Sequence, residues 1–350
     1  MVFRSKALVA MSGGVDSSAA AYLAMQAGYE CIGGTMLLCQ SNQDIADAEA
    51  VAQRLKIPFY TFDARLPFRQ QVQEPFVRSY ENGKTPNPCI LCNRWLKFGY
   101  LLDRAIELGC SHIVTGHYAR VKQDPQSDRW LLLKAVDSSK DQSYFLANLT
   151  QSQLCHIYFP LGELTKDQAR QLATEQQFIN ARKRDSQDIC FIPDGDYPTF
   201  LEKFTGINYP AGDFIDQDGN VVGRHQGAVR YTFGQRKGLG IAMGQPVYVC
   251  DKDMKANTVT IGPNEALYHR TLLADEWSWF PFDKLHLPLR CKAKARSRMI
   301  EQPATAYPEA DGTVRVVFDE AQRALTPGQT VVLYDGDTVI GGGCIRSVAD

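Results

Sequence analysis

Apolar and polar positions along the first half of the chain switch between two periods. Lys6–Met11 (KALVAM) is a short β-type run, and Ser18–Ala27 is alanine-rich and helical, with Gly28 placed as its C-cap. Glu30–Leu38 reads as a second strand. In Asp44–Leu55 the apolar residues Ile45, Ala48, Val51, Ala52 and Leu55 recur at helical spacing. Pro58–Phe62 reads as a third strand, and His112–Thr115 as another after a long helix. This alternation predicts a parallel, doubly wound α/β sheet, which takes ligands at the carboxyl ends of its strands.

After about residue 195 the helical period fades. Short β-type runs follow at Gly227–Thr232, Pro246–Cys250, Thr258–Ile261, Arg290–Arg298, Thr313–Phe318, Thr330–Tyr334 and Thr338–Gly342. Turn signals such as Asp311-Gly312, Pro327-Gly328 and Asp335-Gly336 separate them. The expected organisation is an α/β domain over 1–195, a small, mostly β central domain over 196–265, and a β-barrel or sandwich over 266–350.

Composition sharpens this only in places. At 350 residues, 44% hydrophobic and 22% charged, the chain has apolar matter for two or three cores. A net charge of −1 gives no global attraction to nucleic acid, so RNA binding must come from local basic patches. The start, MVFRSKALVAMSGG, lacks the pattern of a secretory signal, and no run approaches the roughly 20 apolar residues of a membrane helix. The cytosol is the expected compartment, with no membrane partner. Ten cysteines are many for a cytosolic protein, where thiols stay reduced. Cys31, Cys110 and Cys250 lie in apolar runs and read as packing; Cys89, Cys92 and Cys190 have surroundings that suggest chemistry.

Ser12-Gly13-Gly14-Val15-Asp16-Ser17-Ser18 follows the first strand and opens the first helix. Two glycines allow close approach to an anion, which the free N–H groups and positive end of the helix then hold, aided by serine hydroxyls. Asp16 is suited to order the turn or to reach a Mg²⁺ ion on the phosphates. The loop is neither the common P-loop nor the dinucleotide fingerprint.

Asn87 is a suitable N-cap and Pro88 a suitable first residue for a helix whose apolar period runs through Leu91, Trp95, Phe98, Leu102 and Ala105. Cys89 and Cys92 then share one face near its positive end, where Arg94 and Lys97 favour thiolates. Three uses remain open: a zinc site, which lacks a second cysteine or histidine pair; packing at a helix end; and sulfur or iron–sulfur chemistry. Cys190, taken alone, reads as packing, although Arg182-Lys183-Arg184 precedes it. His117, after the glycine turn at Gly116, reads as a hydrogen-bonded loop histidine. Arg290, Lys292, Lys294, Arg296 and Arg298 alternate with small residues, which on a strand makes one cationic face. That face suits either an edge strand in water or a phosphate backbone.

The segments AMSGGVDSS, TPNPCILCN, TGHYAR, KDQSYFL, DSQDICFI, GQRKGLGI and TPGQTVVLY…GGG together resemble the bacterial-type tRNA-uridine 2-sulfurtransferases, of the ATP pyrophosphatase superfamily. The resemblance spans nearly the whole chain. It implies an ATP pyrophosphatase domain, a small central domain and a C-terminal β-barrel. It also implies thiolation of a wobble uridine of tRNA (Lys, Glu and Gln acceptors), with ATP cleaved to AMP and pyrophosphate. By resemblance, Ala10, Met11, Ser12, Gly13, Gly14, Val15, Asp16 and Ser17 bind the phosphates, and Met36 and Gly116 line the adenosine pocket. Cys92 corresponds to the family nucleophile and Cys190 to the persulfide carrier, charged by a cysteine desulfurase or a sulfur-relay protein. Asn87, Lys140, Asp141, Gln142, Arg296 and Ser297 correspond to tRNA-contacting positions. The chain departs from many relatives at Cys89, where they carry Asp, and at Ser297, where they carry an aromatic residue. The first departure keeps a rival open, in which Cys89, Cys92 and Cys190 ligate a 4Fe–4S cluster. A ligase or amidotransferase acting on a small metabolite would share the ATP loop but needs neither paired cysteines nor a cationic β-domain.

Overall fold

The computed structural model describes residues 5–39, 41–183, 189–241 and 243–349. Its first sheet is built around β1 (Lys6–Ala10), with β2 (Glu30–Leu37) and β3 (Phe59–Asp63) on one side. On the other side lie β4 (His112–Val114) and, beyond the hairpin of β5 (Ala119–Gln123) and β6 (Trp130–Lys134), β7 (Ile157–Tyr158). The order is β3-β2-β1-β4-β7 and every pairing is parallel. Side chains of a strand alternate between faces. Ala7 and Val9 pack with α1 (Val15–Gln26), α2 (Asn42–Leu55) and the helix Lys166–Glu175, while Leu8 packs with the helices of 65–107. Helices on both faces make the sheet doubly wound, as expected.

The helix that carries the cysteine pair is irregular. It runs as Pro88–Leu91, then as a nine-residue π-helical stretch, Cys92–Tyr100, and then as Leu101–Glu107. Hydrogen bonds from i to i+5 shift the phase of the buried stripe. Leu96 and Leu101, five apart, are buried, whereas Trp95, which an α period places inside, is 46% exposed.

The small central sheet contains β8 (Gly212–Ile215), β9 (Val221–His225), β10 (Tyr248–Asp253) and β11 (Thr258–Gly262) in the order β10-β11-β8-β9. Two expectations fail here. A helix, Tyr197–Thr205, continues past the point where helical periods fade, started by Asp196, whose carboxylate accepts from Thr199 N at 3.2 Å. Gly227–Thr232 is not a strand. Gly227 has φ 115°, and Ala228–Arg230 turns as a short 3-10 helix.

The last third is a closed barrel of six antiparallel strands: β12 (Tyr268–Trp279), β13 (Leu289–Lys294), β14 (Gln302–Pro308), β15 (Val314–Arg323), β16 (Thr330–Asp335) and β17 (Thr338–Ala349). β17 returns to β12, which leaves no open edge between them. The sequence showed β13, β15, β16 and β17 but not β12 or β14. The β5–β6 hairpin joins this sheet through Leu133 and Thr338, and Leu132 shares a core with Val332, Tyr334 and Val339. Thus a segment from the α/β half extends the barrel sheet beyond β17. Among the described residues no helix is long and apolar enough to cross a membrane.

Candidate active site

Strand order reverses beside β1, so the crevice between the carboxyl ends of β1 and β4 is the switch point of the sheet. The loop after β1 turns there into α1. Gly13 has φ 73°, and a Cβ on it would collide with the Asp44 carbonyl. Ser17 Oγ donates to Gly14 O at 2.9 Å and accepts from Ser12 N at 3.2 Å, which holds the loop closed on itself. Val15 is buried beneath it. From behind, Asn180 Nδ2 donates to Gly13 O (3.0 Å) and Ser18 Oγ (2.9 Å). Lys183 Nζ reaches Gly13 O at 3.2 Å and the carboxylates of Asp44 and Asp47 at 2.7 Å. Lys183 is therefore committed to α2 and the loop rather than to Cys190. Arg184, and residues 185–188 of the segment before Cys190, lie outside the described residues.

A cavity of about 230 Å³ opens above the loop. Ala10, Met11, Ser12, Asp16, Ser17, Met36, Gly116 and Gln142 line it, joined by Leu38, Lys97 and His117. Gly116 is required by proximity: a Cβ there would lie 2.7 Å from Asp16 C and 2.8 Å from Ser17 N. The N–H groups of the first turn of α1 have no partners within the helix, and Asp16 and Ser17 of that turn line this space. Asp16 is the one carboxylate among the lining residues. Lys166 Nζ binds both its oxygens at 2.8 Å, and Tyr118 Oη donates to it at 2.8 Å. The donor set, with serine hydroxyls, a helix start and an apolar flank, fits a nucleoside triphosphate. For Mg²⁺ it offers one carboxylate, already ion-paired.

His117 is hydrogen-bonded in its loop, as expected, but its place at the pocket with Lys97, and the bond of Lys166 to Asp16, were not foreseen. His117 is buried, with Nδ1 2.7 Å from Thr115 Oγ1 and Nε2 3.4 Å from Lys97 Nζ. Burial, and then the Lys97 charge, hold its pKa well below the ordinary value, so the ring is neutral. Lys97 reaches the pocket because the π-helical stretch turns it inward. Lys166 carried no local signal at all.

Lys97 is also near enough to three thiols for its charge to act on them. Asn87 Oδ1 accepts from Cys89 N at 3.2 Å and caps the cysteine-bearing helix. The expectation of a Cys92 thiolate is overturned: burial pushes Cys92 up to about 11, Lys97 opposing and Cys190 and Cys89 adding to the rise. Withdrawal from water outweighs one nearby cation. The Cys89 thiol is raised by burial, and the Cys190 thiol by its hydrogen bond to Cys39 and then by burial; Lys97 opposes both rises. Cys39, which stands in no recognisable motif, lies against Cys190, its Sγ 3.4 Å from the Cys190 carbonyl oxygen. Among the described residues no group of three or more His, Cys, Asp or Glu stands close enough to hold a metal ion. Of the cysteines read as packing, Cys31 and Cys110 are buried and Cys250 is half-buried.

The remaining expected residues gather at the seam with the barrel. Asp141 accepts from Ala135 N and Ser143 N, and Gln142 Oε1 accepts from Tyr118 N at 3.0 Å, so both side chains order their own loop. Lys140 is half-buried in that loop. The strand expected over Arg290–Arg298 ends at Lys294; Arg296 and Ser297 sit in a turn closed by Met299 N on Arg296 O. Arg290 is bound to Asp319 at 2.6 Å, so the cationic row is shorter than its sequence implies. The charge of Arg296 acts on the Tyr144 phenol, and Lys134 of β6 pairs with Glu301 at 2.6 Å. The 296–297 turn thus lies near Tyr144, in the short helix that follows the 140–142 loop.

Strand order, switch-point loop and pocket together define an α/β nucleotide-binding protein fused to a β-barrel. Comparison with known proteins makes this specific. Residues 5–194 match the tRNA methyl transferase HUP domain, 198–263 the tRNA methyl transferase PRC-barrel domain, and 269–345 the aminomethyltransferase beta-barrel domain. The chain is 44% identical over 358 residues to the tRNA-specific 2-thiouridylase MnmA of Clostridioides difficile, covering 99% of each. It is 46% identical over 357 residues to that of Acetivibrio thermocellus, covering 98% of this chain and 99% of the relative. To that of Halothermothrix orenii it is 46% identical over 355 residues, covering 97% and 99%. The chain belongs to the tRNA-specific 2-thiouridylase family.

Proposed function

We propose that this chain uses ATP to activate a wobble uridine of tRNA and replaces its 2-oxygen with sulfur carried as a persulfide on Cys190. The observation that carries this reading is Lys97. Its ammonium lines the loop pocket beside His117, and its charge acts on the thiols of Cys89, Cys92 and Cys190. One side chain therefore borders both an anion-holding pocket and a set of sulfur nucleophiles.

In this reading the first turn of α1, with Ser12 and Ser17, holds the phosphates of ATP, and Met36 and Gly116 flank the adenosine. A Mg²⁺ ion would be held mainly by phosphate oxygens, with Asp16 the protein carboxylate in reach. The target base leaves the anticodon stack and its O2 attacks the α-phosphorus, releasing pyrophosphate. Lys97 supports the negative charge that develops there, next to a histidine kept neutral. Sulfur from Cys190 then replaces the adenylated oxygen at C2 and AMP leaves. Cys92 assists either by attacking the persulfide or by positioning it. Asn87, Lys140, Asp141, Gln142, Arg296 and Ser297 form the tRNA-facing seam between an α/β domain of 1–195 and a barrel of 266–350, with 196–265 between them. The acceptors are those for Lys, Glu and Gln, and the sulfur comes from a cysteine desulfurase or a relay protein.

The test is pyrophosphate release by the purified chain with ATP and with or without a substrate tRNA. Release that requires tRNA is expected, and Cys190→Ser should keep it while forming no thiouridine. Release independent of tRNA, or activated by a small metabolite, would sink the reading.

A further inference from the structure

We infer that Tyr118 and Lys166 are positioning residues: they tie the Asp16 carboxylate of the pocket to the 137–142 loop, so that tRNA held by this loop sets the rate of pyrophosphate release. The inference rests on the reading given above, in which the loop faces tRNA and the pocket holds ATP.

Two separate paths of hydrogen bonds run between the loop and Asp16. In the first, Tyr118 and Gln142 are bonded in both directions. Gln142 N donates to Tyr118 O at 2.8 Å, and Tyr118 N donates to Gln142 Oε1 at 3.0 Å. The Tyr118 hydroxyl then donates to Asp16 at 2.8 Å. In the second path, Asp137 holds its end of the loop by accepting from Ser139 N at 3.0 Å and from Ser139 Oγ at 2.6 Å. Its other oxygen accepts at 3.0 Å from the backbone N–H of Lys166, which opens the helix Lys166–Glu175. The Lys166 ammonium, 5.9 Å from the centre of the Tyr118 ring, binds both oxygens of Asp16 at 2.8 Å.

Burial makes these links stiff. Tyr118 and Lys166 are only 2% and 7% exposed, so water cannot readily stand in for a lost donor. Asp16 and Gln142 are among the residues that line the pocket; Tyr118 and Lys166 are not. Two buried donors therefore fix a pocket carboxylate through charge-assisted bonds, and the backbone of each donor is fastened to the loop. A loop held by tRNA fixes both donors, and with them the direction in which Asp16 meets the nucleotide. Such coupling is reciprocal, so bound ATP should tighten tRNA binding by the same factor as tRNA tightens ATP binding.

The experiment measures pyrophosphate release at saturating ATP, with and without a substrate tRNA, in the parent protein, Tyr118→Phe, Lys166→Met and Asp137→Ala. The readout is the ratio of the two rates. It should fall at least fivefold in Tyr118→Phe, which removes one hydroxyl and keeps the buried ring, and in Lys166→Met and Asp137→Ala where these fold. A merely structural role would slow both rates by one factor and leave the ratio unchanged. A smaller fall in Tyr118→Phe, from a parent protein that tRNA does stimulate, would overturn the inference and leave the reading beneath it intact. A parent protein that gains nothing from tRNA would overturn both.

Discussion

Lys97 Nζ lies 3.4 Å from His117 Nε2, a contact between a π-helical stretch and the loop after β4 that joins thiols to pocket. Burial first, and Lys97 second, depress the His117 pKa. His117 should therefore show no protonation near pH 6.5 by NMR, its ordinary value. Lys97→Met should raise the pKa only part of the way, because the larger cause remains. The folded state binds this proton less readily than the unfolded chain, so the contribution to stability is full above about 6.5 and is lost as pH falls below it. A His117 that titrates normally in the parent protein would contradict this geometry.

Gly116→Ala places a methyl group 2.7 Å from Asp16 C and 2.8 Å from Ser17 N. Both are backbone atoms, so the start of α1 must move rather than a side chain. A cost of about 1–3 kcal/mol is expected, read as a lowered melting temperature and at least tenfold weaker ATP binding. Unchanged ATP affinity would mean that the close approach of β4 to the loop has no role in the pocket.

Cys89→Ser separates the two sulfur chemistries. In the persulfide reading Cys89 carries no sulfur, so the variant should keep most thiolation activity while Cys190→Ser loses it. Iron analysis of anaerobically purified protein checks the same point. About four irons per chain together with an inactive Cys89→Ser would favour a cluster.

Arg296 and Arg298 stand in an exposed turn, and the charge of Arg296 acts on Tyr144. Replacing both with alanine should weaken binding to all substrate tRNAs and flatten the salt dependence. Each lost phosphate contact should reduce the log–log slope by roughly 0.7 to 0.9. An unaltered slope would leave these residues as ordinary surface charge.

Local pattern was sufficient for much of this molecule. The period-2 and period-3.6 runs of 6–63 set the parallel sheet, because strands and helices buried on one or both faces must carry those periods. The glycines and serines of 12–18 announced an anion site, because only small residues allow that approach. The register of the barrel was less legible: β12 and β14 alternate weakly, and their pairing is decided by closure, which no single strand encodes. Trp95 was misplaced by an α period that the π stretch breaks, and stands exposed. His117, Lys166 and Cys39 acquire meaning only from neighbours 20, 150 and 151 residues away. Sequence by itself determined which segments fold and which loop holds an anion. Tertiary structure alone decided which thiols meet and in what protonation state, because burial and charge at a sulfur are set by everything packed around it.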